Sequence, residues 1–209
     1  MAFQDERSQV RKFPRKLFTQ LDICFPVVSA LIEQRARPGQ LLVQTRHKPR
    51  SDPVYTGTME IAAGWLERRE NVYDALRREV NEETGLTVEE IEGEPEKQIY
   101  TSGKGSSMGF RPFYAQQQLD GGEPWIGYAF LCKVGEGVLK AQKGETKDLR
   151  WMEIQELERM LRETPENVFD LQVPVLREYV KYRTKEGIID RYKERTKKLD
   201  EPILDSDVE

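Results

Sequence analysis

Apolar positions along the chain fall into short strand-like runs at both ends of its middle portion, with one helical repeat between them and two more near the end. Ile23 to Ile32 and Leu41 to Thr45 have the composition of strands, and Arg37-Pro38-Gly39 between them is a turn signal, so the pattern predicts a hairpin. Val72, Leu76 and Val80 recur at helical spacing and predict a helix over Val72 to Thr84. Its ends are marked. Asn71 can cap the first turn, Asp74 follows three residues later, and Gly85 suits the left-handed residue that closes a helix. Gly93 to Pro124 lacks a period and reads as irregular, with a Gly/Ser loop over Thr101 to Gly109. Phe113 to Gln118 and Trp125 to Val134 read as strands on either side of Asp120-Gly121-Gly122, and Leu149 to Met152 as a further short strand. Ile154 to Arg162 and Val173 to Tyr182 carry helical apolar spacing. No internal repeat is present. Strands and helices mixed in this way imply an α/β domain over 21–165, preceded by a polar arm over 1–20 and followed by a helical extension with an acidic tail over 166–209.

Advancing about 100° per residue, the helix carries Glu79 and Glu83 on the edge of its apolar stripe, with Glu82 one step around the cylinder. Carboxylates at i, i+3 and i+4 can converge on one small volume, where they repel each other unless a cation neutralises them. All-oxygen donors of this kind suit Mg²⁺ or Mn²⁺, which keep part of their water and bind substrate phosphates. The spacing alone also fits a solvated acidic face, but the overlap with the apolar stripe counts against it.

Gly64, five residues, Glu70, seven residues, and then Arg78-Glu79-Val80-Asn81-Glu82-Glu83-Thr84-Gly85-Leu86 resemble the Nudix box at every specified position. The resemblance implies a mixed β-sheet sandwiched between α-helices, and a loop–helix–loop whose acids hold a divalent metal against a diphosphate. It implies Glu79 and Glu83 as principal metal ligands, Glu82 as an additional or water-mediated one, and the carbonyl near Ala63 as another. Gly64, Glu70 and Arg78 support them, with Glu70 and Arg78 expected to pair and orient the helix. Gln44-Thr45-Arg46 and Glu60-Ile61-Ala62-Ala63-Gly64 look like segments of ADP-ribose and nucleotide-sugar pyrophosphatases, although Ala62 stands where those enzymes usually have proline. By that likeness the substrate is a nucleoside diphosphate joined to another moiety, ADP-ribose or a nucleotide sugar being favoured. Arg46 and Arg50, with Lys48 nearby, and Glu60 are the candidate substrate-binding residues; Lys48 and Arg50 fit a solvated strand end equally well. Glu145, in a polar loop, matches the loop glutamate that serves as general base in that branch, with Glu136 its nearest rival and Glu79 the alternative within the box. Trp65, Trp125 and Tyr128 fit either core positions or base stacking. Hydrolysis of dinucleoside polyphosphates or NTPs, or a non-catalytic nucleotide-sensing domain, are the alternatives; the complete set of box acids and the lack of a helix-turn-helix segment count against a sensor. A homodimer is expected by likeness to the nucleotide-sugar enzymes.

Composition narrows the remaining classes. The 209 residues are 37% hydrophobic and 33% charged with a net charge of -4, so broad nucleic-acid binding is not expected despite a basic arm at Arg11, Lys12, Arg15 and Lys16. No apolar run approaches the roughly 20 residues that cross a bilayer, and a soluble, cytoplasmic protein without membrane contact is expected. Cys24 and Cys132 lie far apart in apolar segments, which predicts buried free thiols rather than a disulfide or zinc site. A single histidine, His47, excludes HExxH zinc chemistry and the histidine-rich site of isopentenyl diphosphate isomerases, and Gly103-Lys104-Gly105-Ser106 lacks Walker A spacing.

Overall fold

The computed structural model describes residues 24–122 and 124–185. The basic arm, Ile23 and the acidic tail lie outside the described residues. Strands are β1 (Phe25–Gln34), β2 (Gln40–Arg46), β3 (Met59–Glu60), β4 (Ala63–Trp65), β5 (Val88–Ile91), β6 (Gln98–Ser102), β7 (Gly105–Gly109), β8 (Tyr114–Gln117), β9 (Trp125–Val134) and β10 (Thr146–Glu153). Helices are α1 (Val72–Thr84), α2 (Ile154–Glu163) and α3, which begins at residue 173 and is described as far as 185.

The main sheet runs β4-β1-β9-β5, with β8 also pairing β9, and a second sheet runs β10-β2-β3. β1 and β9 are parallel over their whole lengths, from Phe25↔Trp125 to Gln34↔Val134, while their other pairings are antiparallel. Both strands are covered on two faces. Val28, Ala30, Ile32, Phe130 and Cys132 point into a core shared with Val72, Leu76 and Val80 of α1. Leu31, Ala129 and Leu131 point the other way, into a core with Leu157 and Leu161 of α2 and Leu176 and Tyr179 of α3. Burial on both faces explains why these strands read as near-continuous apolar runs, and the mixed sheets lie between helices as expected. Among the described residues no helix is long and apolar enough to cross a membrane.

The hairpin expected between β1 and β2 does not form. Both edges of β1 are occupied, by β4 and β9, so β2 crosses to the second sheet and pairs with β3 and β10. The Gly/Ser stretch expected to be an irregular loop is instead the β6–β7 hairpin, closed by Gly103 and Lys104. Its small, exposed residues lack apolar alternation, which hid a strand pair held by main-chain bonds. The strand expected over Leu149 to Met152 extends to Thr146–Glu153, and β5 had no forecast at all. Cys24 is exposed rather than buried, because it precedes the sheet; Cys132 is buried, and burial pushes its thiol up to about 12.

α1 begins and ends where its sequence signals stand. Asn71 Oδ1 accepts from the Tyr73 and Asp74 backbone N–H groups at 3.0 and 3.1 Å, and Gly85 takes φ 75° with its N–H on the Asn81 carbonyl. These caps set the ends of the helix, and burial of Val72, Leu76 and Val80 sets its rotation and so the direction of its glutamates.

Candidate active site

A cleft of about 690 Å³ opens where the second sheet and the 169–172 segment meet the main sheet beside α1. The strand order brings the candidates there. Antiparallel pairing sets Gln44 of β2 opposite Glu60 of β3, and β4 then carries Ala63 and Gly64 past α1. Glu83, 2% exposed, receives hydrogen bonds on Oε2 from Gln44 Nε2 at 2.8 Å and from the Ala63 N–H at 3.1 Å. Glu60, also buried, receives Arg46 Nη1 at 2.9 Å. Glu79 receives Arg78 Nη1 at 2.6 Å, and its carboxylate lies over the bare Cα of Gly64. Glu82 is half-exposed at the rim, 3.5 Å from Arg78.

Arg78 is fully engaged. Its Nε and Nη2 fork onto Glu70 at 2.9 and 2.8 Å, and Nη2 also donates to the Trp65 carbonyl at 3.0 Å. Glu70 in turn accepts from the Glu67 N–H, so one ion pair ties the loop before α1 to the helix. The fork holds the Glu70 carboxyl below the usual range.

The electrostatics of the buried acids show what is missing among protein groups. Burial, and then the charge of Glu60, push the Glu83 carboxyl up to about 8, against the Gln44 hydrogen bond. Burial raises Glu60 against the opposing pull of Arg46, and raises Glu79 against that of Arg78. Converging oxygen donors short of positive charge fit a hard divalent cation. Glu79, Glu82, Glu83 and the Ala63 carbonyl are the groups that could hold one. Among the described residues no three acidic, histidine or cysteine side chains stand together at ligand spacing; the Glu79 carboxylate is turned to Arg78, and Glu82 lies at the rim beside the same guanidinium.

Glu145 also lines this cleft. β10 begins beside it, and Thr146↔Arg46 pairing together with the His47 N–H on the Glu145 carbonyl at 2.7 Å anchors it at the end of β2. Its carboxylate pairs with Lys48 Nζ at 2.9 Å, a partner different from the neighbouring Lys143 and Lys147. Glu136 is exposed and does not line the cleft. Arg50 is likewise exposed and off the cleft wall, whereas Lys48 is on it. Arg46 lines the cleft with its guanidinium on Asp52 at 2.6 Å and Glu60, and 4.7 Å from the Phe169 ring centre. Trp65 and Trp125 line the cleft, while Tyr128 packs edge-on against Phe110 in the core.

Sequence reasoning missed the far wall. Phe169, Leu171 and Gln172 follow α2, and the Gln172 side chain bonds both the N–H and the carbonyl of Ile61, at 2.8 and 3.1 Å. Phe169 stands edge-on to Tyr55, with ring centres 5.0 Å apart. Their only sequence signal is an aromatic and an amide in a short polar segment, too little to foresee a wall.

The NUDIX domain family model matches residues 25–172. No curated protein matches the chain. Similar solved structures include the ORF135 protein of E. coli, 24% identical with TM-score 0.51, covering 77% of this chain and 91% of that one. A NUDIX hydrolase from Nitrosomonas europaea is 17% identical with TM-score 0.51, covering 78% and 73%. The MutT protein from Methanosarcina mazei Go1 is 18% identical with TM-score 0.50, covering 77% and 95%. At these identities the likeness is one of fold.

Proposed function

Because this chain belongs to the NUDIX domain family, we propose that its cleft hydrolyses the phosphoanhydride of a nucleoside diphosphate derivative, ADP-ribose or a nucleotide sugar, with the help of a divalent cation. The observation that carries the reading is a cleft lined by Glu60, Glu79, Glu82 and Ala63 together with Arg46, Lys48 and Arg78, with the buried Glu83 behind it, joined to Glu60 through Gln44 and to the Ala63 N–H. A bound Mg²⁺, or Mn²⁺ in its place, would supply Lewis-acid polarisation of the phosphate and a more acidic water.

The residues divide the remaining work. Glu79, Glu83 and the Ala63 carbonyl would hold the cation, with Glu82 as a further ligand. Gln44 and the Ala63 N–H orient the Glu83 carboxylate through its Oε2, and Arg78 keeps α1 and β4 in register through Glu70 and the Trp65 carbonyl. Arg46 is neutralised by Asp52 and Glu60, so it organises the wall more than it attracts phosphate. Lys48 has the more exchangeable partner, since Glu145 is 42% exposed, and it carries the larger share of diphosphate binding. Transfer of Lys48 to a phosphate frees Glu145 to accept the proton of the attacking water.

The test is turnover of ADP-ribose, nucleotide sugars, diadenosine polyphosphates and NTPs with Mg²⁺, followed by release of nucleoside monophosphate or phosphate. Metal-dependent cleavage between the phosphates of a nucleoside diphosphate derivative is expected. Absence of turnover on the whole panel would overturn the reading.

A further inference from the structure

We infer that Gln172 is a positioning residue: its amide stands in for a neighbouring strand at Ile61 and thereby fixes the Ala63 peptide toward the cation and Glu83, a deepening that rests on the hydrolase reading for what the cation does. β3 ends at Glu60 and β4 begins at Ala63, so Ile61 and Ala62 cross from the second sheet to the main one outside both ladders. Both residues are buried, and buried peptide groups without partners are costly. The Ala30 N–H serves the Ala62 carbonyl at 2.9 Å, and Gln172 serves Ile61.

The Ile61 N–H donates to Gln172 Oε1 at 2.8 Å, and Gln172 Nε2 donates to the Ile61 carbonyl at 3.1 Å. Two residues that exchange both bonds form the hydrogen-bonded pair of an antiparallel ladder. A primary amide, with an acceptor beside its donors, reproduces that pair from a side chain. Gln172 is buried, and its own backbone is fixed. Its N–H donates to the Phe169 carbonyl, and the Phe169 N–H to the Met59 carbonyl, both at 2.8 Å. From the other side, Gln116 of β8 donates Nε2 to the Leu171 carbonyl at 2.8 Å. Gln116 therefore holds the 169–172 segment, while Gln172 carries that hold to Ile61.

What hangs from Ile61 is the metal side of the cleft. The Glu60 carboxylate, one residue before it, receives Arg46. Two residues after it, the Ala63 N–H donates to Glu83, and at the next position Gly64 leaves room for Glu79. Planar peptides leave only two soft dihedrals per residue, so freeing the Ile61 peptide lets the Ala63 N–H and carbonyl drift together. Groups that orient a ligand in this way commonly control metal affinity without touching the metal.

Calorimetric titration with Mg²⁺ alone tests the clamp without turnover. Gln172→Leu should bind Mg²⁺ roughly tenfold more weakly, whereas Gln116→Leu, which loosens the same segment without touching Ile61, should bind it as the wild type does. Equal weakening in the two variants would mean general loosening and overturn the inference. The wild type gives a second measurement that needs no variant to fold. If the clamp strengthens metal binding, metal must strengthen the clamp by the same factor, so hydrogen exchange at the Ile61 amide should slow roughly tenfold in saturating Mg²⁺, with less change in α3. Exchange indifferent to Mg²⁺ would overturn the inference. Weaker Mg²⁺ binding in Gln172→Leu alone, with no hydrolysis of any diphosphate by the wild type, would leave the clamp standing and remove the hydrolase; hydrolysis with equal Mg²⁺ affinity in the wild type and Gln172→Leu would do the reverse.

Discussion

The Glu79 carboxylate occupies the space that a Cβ on Gly64 would need. Gly64 is absent from the glycines with positive φ, so it is required for room rather than for backbone freedom. The obstructing atoms are the far end of a flexible side chain, which can move. Gly64→Ala should therefore fold with a melting temperature near that of the wild type, yet bind Mg²⁺ roughly 10- to 100-fold more weakly, as displaced metal-site residues commonly do. Calorimetric titration measures it; unchanged affinity would remove Glu79 from the ligand set.

Glu83 links metal binding to pH. Its folded-state pKa of about 8 stands above the ordinary 4.5, so the fold favours the protonated form. The stability this represents is complete below the unfolded value and lost as pH rises through the folded one. In EDTA, Glu83→Gln should thus melt several degrees above the wild type near pH 8, and the difference should vanish near pH 4. Mg²⁺ affinity of the wild type should rise across the same window with proton release, because the ligand must ionise. A melting difference independent of pH would contradict the raised pKa.

The Glu83→Gln enzyme should also lose about 100-fold or more in kcat at saturating metal, since an amide cannot neutralise a divalent charge. Steady-state kinetics on the best substrate of the panel decide it. Wild-type turnover would sink the assignment of Glu83.

Glu145 and Glu136 differ in surroundings more than in sequence context. Only the former lines the cleft. Glu145→Gln should lower kcat by roughly 100- to 10,000-fold with KM nearly unchanged, while Glu136→Gln leaves both as they are. Full kcat in the Glu145 variant would return the base to the box.

Away from the cleft, Glu33 is 5% exposed on β1 and receives both Tyr179 and Arg183 of α3. Breaking such a pair leaves a buried charge uncompensated. Arg183→Met should cost about 3 kcal/mol in urea unfolding, with far less loss in Glu33→Gln/Arg183→Met, where neither charge remains. Equal losses in the two proteins would mean that the charge pairing is not what holds α3.

The main helix and its caps were legible in the sequence because their determinants are local: Asn71, the Val72-Leu76-Val80 stripe and Gly85 act within a few residues of one another. The box spacing is local in the same way, and it places Glu79, Glu82 and Glu83 on that one helix. What the tertiary structure alone decided were relations across long separations. β1 finds its parallel partner β9 one hundred positions away, as in Phe25↔Trp125, and that pairing overrode the nearby turn that pointed to a β1–β2 hairpin. The sequence offered Arg46 as a substrate-binding candidate, but only folding set Asp52, Glu60 and Phe169 against it, and Lys48 gained its place on the wall from the pairing of β2 with β10. A sequence states which charges exist, but their fields and partners depend on distance and burial, and these come into being only when the strands are assembled.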